Sequence, residues 1–372
     1  MECIFNKGTL IQGLQLTQNI ADKKNTMPIL GNVMIKSHKE EVEIFATNLE
    51  VSIRTRIPAQ IQQEGVLSLQ AQKTYEVVRE LPGSEVHLKG KENFWGEIES
   101  GKSFFTLAGL DPKDFPKLEV EQSDILFQIE ASSLKHLIDK TTYATSTDEA
   151  RYHLNGVFVE LDYSKKKGMI KGVATDGHRL ALVEEEIASE GPLHLEKGVL
   201  LPRKGLMEVK KAFTESEGKI EVGISKKMVF LRRDGMSISM RLISGEFPDY
   251  RQVIPKGGNR FLVLKKEPLI GALRRILLLS SDRYRGVRLN LTKQEAILSL
   301  HNPDIGEARE NLPAEYTGDP LEMGFNTRYL LEAVLACDEE NVQFDFKDEL
   351  SPVLVQGPEH KKSLAVIMPM RF

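Results

Sequence analysis

The chain has 372 residues, of which 41% are hydrophobic and 28% are charged, so it should form two or three domains with buried cores. Its 50 Lys and Arg against 54 Asp and Glu leave a net charge of −4, which excludes a protein that covers itself in nucleic acid by bulk charge. Two cysteines, Cys3 and Cys337, exclude a disulfide framework and a cysteine zinc site, and they indicate a reducing compartment. Because the chain has no basic signal segment and no run of about 18 apolar residues, we expect a soluble, cytoplasmic protein without a membrane partner.

A pattern of strands and amphipathic helices occurs three times along the chain. Each occurrence begins with a strand that leads into a helix, continues with an apolar strand, and ends with a second strand and helix. Apolar residues in the helices recur at spacings of three and four, as in Leu206, Val209 and Phe213, which gives each helix one buried face. The predicted helices span residues 7–20, 73–80, 132–140, 203–213, 265–275 and 327–336.

The first two repeats end in similar phrases that contain Phe115-Pro116 and Phe247-Pro248. Proline ends both helices and central strands, so these phrases are typical of linkers. The sequence therefore predicts an α+β fold of three similar two-layer domains, with boundaries at residues 1–122, 123–252 and 253–372.

One segment matches the phosphate-binding loop pattern G-x-x-x-x-G-K-S, at residues Gly96 to Ser103. That loop binds phosphate when a strand leads into it and a helix follows. Here Phe104 to Leu107 follow, which is a strand-like run, and Glu97 and Glu99 would place carboxylates where the phosphate should lie. We therefore predict a hairpin turn.

The phrase Thr175-Asp176-Gly177-His178-Arg179 permits two interpretations. Asp176 and His178 are an acid and a base close together, which would suit a cytoplasmic enzyme with a cleft between domains. The same phrase is typical of a turn between strands 170–174 and 180–183, with His178 exposed. The chain has no Gly-x-Ser-x-Gly elbow and no metal-ligand spacing among its histidines, so neither a nucleophile nor a metal or other cofactor is expected.

Charge is divided unevenly between the predicted helices and the rest of the chain. The six helices together carry +8, which leaves −12 for the remainder of the total of −4. Such a division suits helices that face a polyanion while the other surfaces avoid it, although Lys and Arg also collect in helices because they are good helix formers.

Three phrases identify a family. Residues 174–181 (ATDGHRLA), 247–255 (FPDYRQVIP) and 366–372 (VIMPMRF), in this order on a chain of three repeats, closely resemble the bacterial DNA polymerase III β subunits, the sliding clamps. The resemblance implies a head-to-tail homodimer that forms a closed ring, with helices lining the hole and sheets outside. It also implies a processivity factor without catalytic activity, which encircles double-stranded DNA without reading its sequence.

The resemblance implies protein partners that carry a short clamp-binding peptide: the DNA polymerase III alpha subunit, the clamp loader, and other polymerases and repair proteins. The peptide groove would lie between the second and third domains, where flexible methionines can adapt to different peptides. The groove residues implied by the matching phrases are Leu154, Thr175, Gly177, His178, Arg179, Leu180, Pro248, Arg251, Val366, Ile367, Met368, Pro369 and Met370.

Two further surfaces follow from the resemblance. The DNA-facing residues would be Lys24, Tyr152, His153, Arg203 and Lys204. At the ring interface, Phe105 and Leu107 of one subunit would meet Leu278 and Leu279 of the other. The chain ends in Phe372, where related clamps commonly end in Leu, so an aromatic ring would lie at the C-terminal edge of the groove.

Overall fold

The computed structural model describes residues 1–21, 27–116, 125–162, 168–188, 195, 197–213, 217–281, 283–359 and 362–371. The α-helices are α1 (Lys7–Gln18), α2 (Ala71–Glu80), α3 (Ala131–Thr141), α4 (Arg203–Phe213), α5 (Lys266–Leu277) and α6 (Thr327–Ala336). They match the six predicted helices to within two residues at each end. Helix α2 starts earlier than expected because the side chain of Gln70 accepts a hydrogen bond from the Lys73 backbone N–H at 2.7 Å and caps the helix.

The strands follow the predicted repeating order. In chain order they are β1 (Glu2–Asn6), β2 (Asn32–His38), β3 (Glu41–Thr47), β4 (Val51–Pro58), β5 (Gln60–Gln63), β6 (Val66–Gln70), β7 (Glu85–Gly90), β8 (Gly96–Ser100), β9 (Ser103–Leu107), β10 (Ile125–Glu130), β11 (Gly156–Asp162), β12 (Gly168–Thr175), β13 (Arg179–Ile187), β14 (Val199–Pro202), β15 (Lys219–Ile224), β16 (Met228–Arg233), β17 (Met236–Arg241), β18 (Arg260–Lys265), β19 (Gly286–Leu291), β20 (Glu295–Asn302), β21 (Gly306–Pro313), β22 (Glu315–Tyr316), β23 (Leu321–Asn326), β24 (Asn341–Phe346), β25 (Val353–Gln356) and β26 (Ser363–Ile367).

The chain divides into two compact units. The first comprises Met1–Leu134, Ile187–His194 and Lys204–Leu242, and the second comprises Lys135–Glu186, Leu195–Arg203 and Ile243–Phe372. In the first unit the sheets have the orders β5-β1-β7-β8-β9 and β10-β15-β16-β17-β4-β3-β2-β6; in the second they are β14-β11-β12-β13-β26-β25-β24-β18-β22 and β21-β20-β19-β23. The eight-stranded and nine-stranded sheets each contain strands from two of the three repeats.

A backbone hydrogen bond that recurs three times marks the repeat directly. In each repeat, the first residue of the first helix donates its N–H to the carbonyl that immediately precedes the strand after the second helix. The three bonds are Lys7 to Ser84 at 2.7 Å, Ala131 to Gly218 at 2.8 Å and Lys266 to Glu340 at 2.8 Å. Three copies of one strand–helix junction are therefore built from different residues.

The helices pack their apolar faces onto the sheets, as their spacing predicts. Leu10 and Leu14 of α1 are buried, and Gly13 between them lies so close to β3 that an added Cβ would stand 2.9 Å from Cδ1 of Ile44. In α6, Leu330, Leu331 and Val334 likewise join the core. These contacts leave the opposite face of each of these two helices without such core residues.

The segment that matches the phosphate-loop pattern is a hairpin, as predicted. Strands β8 and β9 pair from Gly96 with Leu107 to Ser100 with Ser103. Gly101 forms the turn with a φ of +59°, a conformation that favours glycine. A strand therefore follows the turn, and no helix N-terminus is available there for a phosphate.

Candidate peptide groove, DNA-facing residues and exposed edges

The predicted turn at residues 175–179 connects β12 to β13. Asp176 is 8% exposed, and its Oδ1 accepts hydrogen bonds from the backbone N–H groups of His178 (2.9 Å) and Arg179 (3.1 Å). Gly177 has a φ of +88°, and the His178 side chain is exposed. The Asp176 carboxylate therefore holds the turn in shape, as the structural interpretation of this phrase predicts.

The guanidinium of Arg179 is buried in a polar cluster. Its Nε donates to Asp176 Oδ2 at 3.0 Å, its other nitrogens bond to Glu332 and to the Tyr143 carbonyl, and the side chain is 9% exposed. It also lies 4.2 Å from the ring centroid of Tyr329. Arg179 is a predicted groove residue, and its charge is already satisfied inside the protein.

The C-terminal strand lies beside this turn. Strand β26 pairs with β13, so that Leu180 faces Val366 and Arg179 faces Ile367. Beyond the strand, the Met368 N–H donates to the His178 carbonyl at 3.0 Å, and the Met370 N–H donates to the Gly324 carbonyl at 2.7 Å. The structure thus brings together two of the phrases on which the resemblance rests.

Where β13 and the residues after β26 meet, buried apolar side chains lie next to partly exposed ones. Leu180 and Val366 are buried with Tyr250 in one hydrophobic cluster. Met368 is 39% exposed, while Pro369 and Met370 are half-buried. A buried apolar floor beneath adaptable methionines is suited to a short apolar peptide.

Residues 247–251 carry the predicted groove residues Pro248 and Arg251. Pro248 is exposed, whereas Tyr250 is 2% exposed and belongs to the Leu180 cluster. The Arg251 Nη2 lies 2.8 Å from both carboxylate oxygens of Glu160, so this guanidinium is paired within the chain. Sequence reasoning missed Glu160, because no local pattern links it to a residue 91 positions away.

The predicted groove residue Leu154 and the DNA-facing residues Tyr152 and His153 share one short turn. Leu154 is 6% exposed and Tyr152 is 55% exposed, and the rings of Tyr152 and His153 meet edge to face at 5.7 Å. Arg203 is tied to this turn because its N–H donates to the Asn155 carbonyl at 3.1 Å. Three of the predicted DNA-facing residues, Tyr152, His153 and Arg203, therefore lie close together.

The two other predicted DNA-facing residues are Lys204 and Lys24. Lys204 is the second residue of α4 and is exposed. Lys24 lies outside the described residues, as does the terminal Phe372. The assignment of Tyr152, His153, Arg203 and Lys204 to a DNA-facing surface stays a prediction.

The predicted interface residues lie on two exposed apolar features. Strand β9 is the last strand of its sheet, with Phe105 42% exposed and the neighbouring Phe104, which was not predicted, 56% exposed. Leu107 on the same strand is half-buried. An apolar strand at a sheet edge, with unpaired backbone groups, is a surface that proteins normally cover.

The leucines at the end of α5 divide into two kinds. Leu278 is 78% exposed, whereas Leu279 is partly buried and packs against the core of the second unit. The Asn302 side chain donates to the Leu279 carbonyl at 2.8 Å, and Ile305 in the same turn as Asn302 is 57% exposed. Leu278 is therefore the more accessible of the two predicted interface residues.

A histidine joins two carboxylates in the second unit. His136 Nδ1 bonds to Glu185, its Nε2 lies 2.8 Å from Asp338 Oδ2, and Lys140 also pairs with Asp338. The hydrogen bond to Glu185 is the main cause of the raised pKa of His136. Burial alone would raise the pKa of Asp338, but the hydrogen bonds from Lys140 and His136 lower it overall. The charged imidazolium thus stabilises the fold at low pH and ceases to do so as the pH rises through its folded pKa.

The described part of the chain contains neither a candidate metal-ion site nor a membrane-spanning helix. Within it, His, Cys, Asp and Glu side chains form no group of three that could hold a metal ion. None of the helices in that part has both the length and the apolar character needed to cross a membrane.

The chain is similar to known proteins over its whole length. Models of the N-terminal, central and C-terminal domains of the DNA polymerase III beta subunit match residues 1–119, 128–249 and 251–371. The beta sliding clamps of Pseudomonas aeruginosa and Escherichia coli (strain K12) are 32% and 31% identical to it over 373 and 376 residues, which cover 100% of this chain and 100% of each relative.

Solved structures agree with these matches. A DnaN sliding clamp (DNA polymerase III subunit beta) from Bartonella birtlesii, bound to griselimycin, superposes with a TM-score of 0.93 at 34% identity. The DNA polymerase III subunit beta from Pseudomonas aeruginosa gives 0.93 at 31% identity, and both comparisons cover 100% of either chain. The three repeats, the paired C-terminal strand and these full-length matches lead to one conclusion: the chain belongs to the DNA polymerase III beta subunit family and has the three-domain fold of a sliding clamp.

Proposed function

We propose that the chain is a processivity factor that forms a head-to-tail dimeric ring around double-stranded DNA and tethers polymerases to it. Similarity to beta sliding clamps over the entire chain carries this proposal. The protein acts in the cytoplasm as a binding scaffold, with no catalytic step and no cofactor. The two carboxylate oxygens of Asp176 are occupied by the turn and by Arg179, which disfavours the alternative of an enzyme that uses Asp176 and His178.

Ring closure is supported by the two exposed apolar features of the chain. We propose that strand β9 of one subunit, with Phe105 and Leu107, meets the Leu278 and Leu279 surface of the other. Ile305 adds apolar area near Leu279, since its side chain is more than half exposed and its turn is bonded to the Leu279 carbonyl through Asn302. Phe104 is also more than half exposed, on the opposite face of β9 from Phe105 and Leu107. A second copy of the chain would cover the open edge of β9, as edge strands require.

Attraction to DNA would come from the start of α4. Arg203 carries positive charge beside the turn that holds the exposed ring of Tyr152. Helix α4, which begins at Arg203, also carries Lys204 at its second position and Lys210 and Lys211 in its last turn. Contacts to phosphate oxygens fix a protein on the duplex without reading bases. A sliding ring needs such contacts to be weak and independent of sequence.

The partner site would be the surface at Met368 to Met370, supported by the buried apolar cluster that contains Leu180 and Val366. We propose that it takes the clamp-binding peptide of the DNA polymerase III alpha subunit, the clamp loader, and other polymerases and repair proteins. The griselimycin-bound clamp from Bartonella birtlesii supports the presence of a ligand-binding surface in this family.

DNA topology provides the test. A closed ring cannot leave a circular DNA molecule, however weakly it binds, but it can slide off the ends of a linear one. The protein would be loaded onto nicked circular plasmid by a clamp loader, separated from free protein by gel filtration, and measured again after the plasmid is linearised. We expect the protein to remain on the circle and to leave the linear molecule. Equal retention on both forms would contradict the ring.

A further inference from the structure

Strand β11 holds residues 247–251 by two contacts on one face. Phe158 and Glu160 are two positions apart on the strand, so their side chains point to the same side. The ring of Phe158 stacks on that of Phe247, with centroids 4.9 Å apart and planes 3° from parallel. Two residues along, Glu160 accepts a hydrogen bond from the Tyr250 hydroxyl at 2.7 Å. Pro248, between these two contacts, is thereby fixed relative to β11.

The same residues support the floor of the groove. Tyr250 is 2% exposed and packs in one cluster with Leu180 and Val366. Its ring therefore lies among the apolar residues on which a peptide would rest, while its hydroxyl is bonded to Glu160. A shift of Tyr250 would displace Pro248 on one side and the packing of Leu180 on the other.

Arg251 completes this arrangement. Its Nη2 lies 2.8 Å from both oxygens of Glu160, and its guanidinium lies 4.7 Å from the ring centroid of Tyr250. Glu160 thus accepts hydrogen bonds from both residues, and such charge-assisted bonds are stronger and more directional than neutral ones. Although the Arg251 side chain is 60% exposed, its charged group is committed to Glu160.

We propose that Glu160 is a positioning residue of the peptide groove and that Arg251 acts on peptide binding through Glu160, without touching the peptide. The proposal rests on the proposed function, since it assumes that the surface formed by Leu180, Val366 and Met368 binds a peptide. In this role Arg251 remains a groove residue, but it fixes the wall beside the peptide.

A double-mutant cycle distinguishes the two roles. The variants Glu160→Gln, Arg251→Met and the double variant would be titrated with a fluorescein-labelled C-terminal peptide of the DNA polymerase III alpha subunit, followed by fluorescence polarisation. We expect each single change to weaken peptide binding by about threefold to tenfold. The double variant should bind the peptide as tightly as whichever single variant has the lower affinity. The salt dependence of binding should stay unchanged, because no charge contact to the peptide is lost.

A direct contact would give a different result. If Arg251 meets the peptide, Arg251→Met should weaken binding further in the Glu160→Gln background and flatten the salt dependence, and this outcome would overturn the proposal. Unchanged binding by Glu160→Gln would also overturn it. Tyr250→Phe, which removes a single hydroxyl, provides a second measurement if Glu160→Gln folds poorly, and we expect it to weaken binding in the same direction; unchanged affinity there would count against the proposal.

The controls separate this proposal from the proposed function. Arg288→Met disrupts an ion pair with Glu322 (3.1 Å) on another sheet of the same unit and should leave peptide affinity unchanged. If the wild-type protein fails to bind the peptide, the proposed function itself is refuted. If the wild type binds and the losses are additive, the role of Glu160 alone is refuted.

Discussion

Leu278→Ala should weaken the proposed dimeric ring while leaving each subunit folded. Leu278 is 78% exposed within one chain, so its removal costs the isolated chain little. Leu279 differs because it packs against the core of its own unit. A substitution there would lower the stability of the subunit as well as that of the dimer, and the two effects could not be separated. The single substitution therefore tests the interface alone.

The size of the effect follows from the exposed fraction. Complete burial of a leucine contributes roughly 1.5–3 kcal/mol, so covering the exposed part of Leu278 would contribute roughly 1–2 kcal/mol at each contact. A closed dimer makes the contact twice and should lose roughly 2–4 kcal/mol. This corresponds to an increase of roughly 30-fold to 700-fold in the dimer dissociation constant.

Sedimentation velocity over a range of protein concentrations measures this constant, and circular dichroism shows that the variant stays folded. Leu350→Ala is the matched control, since Leu350 is 67% exposed and belongs to the loop between β24 and β25, not to the predicted interface. We expect the control to dimerise as the wild type does. A dissociation constant for Leu278→Ala within threefold of the wild type would refute the interface.

Three further predictions concern DNA, the groove and pH. Changing Arg203 and Lys204 to Glu should weaken the binding to DNA that precedes ring closure, so that less protein is loaded onto circular DNA, and should lower the slope of log affinity against log salt by roughly 1–2, with Lys347→Glu as the control; a preferred base sequence in footprinting would contradict sliding. Deleting Met368 to Phe372 should abolish binding of the polymerase peptide and leave the dimer intact; full-strength binding would remove the groove assignment. His136→Gln should reduce the fall in melting temperature that the wild type shows as the pH rises from about 6.5 through the raised pKa of His136; identical profiles would show that its ion pairs contribute nothing.

Local patterns predicted the secondary structure closely. The amphipathic spacing placed α4 at residues 203–213, where the structure has it, because one apolar face is enough to define a helix on a sheet. The hairpin at Gly101 followed from the strand-like residues after it. The ends of the helices were predicted less closely than their positions. Helix α2 begins at Ala71 because the Gln70 side chain accepts a hydrogen bond from the Lys73 backbone N–H, and apolar spacing does not reveal such a cap.

The resemblance to a known family predicted residues of the groove that the apolar periodicity alone did not. It named Leu180 and Val366 together, and they face each other across β13 and β26. It also assigned Arg179 and Arg251 to the groove by position in a phrase. A phrase fixes where the backbone passes, but the direction of a long charged side chain depends on which carboxylates lie within its reach.

The sequence by itself determined the repeat, the strand and helix order and the family, because these depend on apolar spacing and on short phrases that are local in the chain. The tertiary structure decided which charged side chains are paired within the chain. It buries the guanidinium of Arg179 between Asp176, Glu332 and Tyr329, and it pairs Arg251 with Glu160, 91 positions away. Ion pairs of this kind form between elements that meet only after folding, and their partners are set by sheet register and packing rather than by any neighbouring residue.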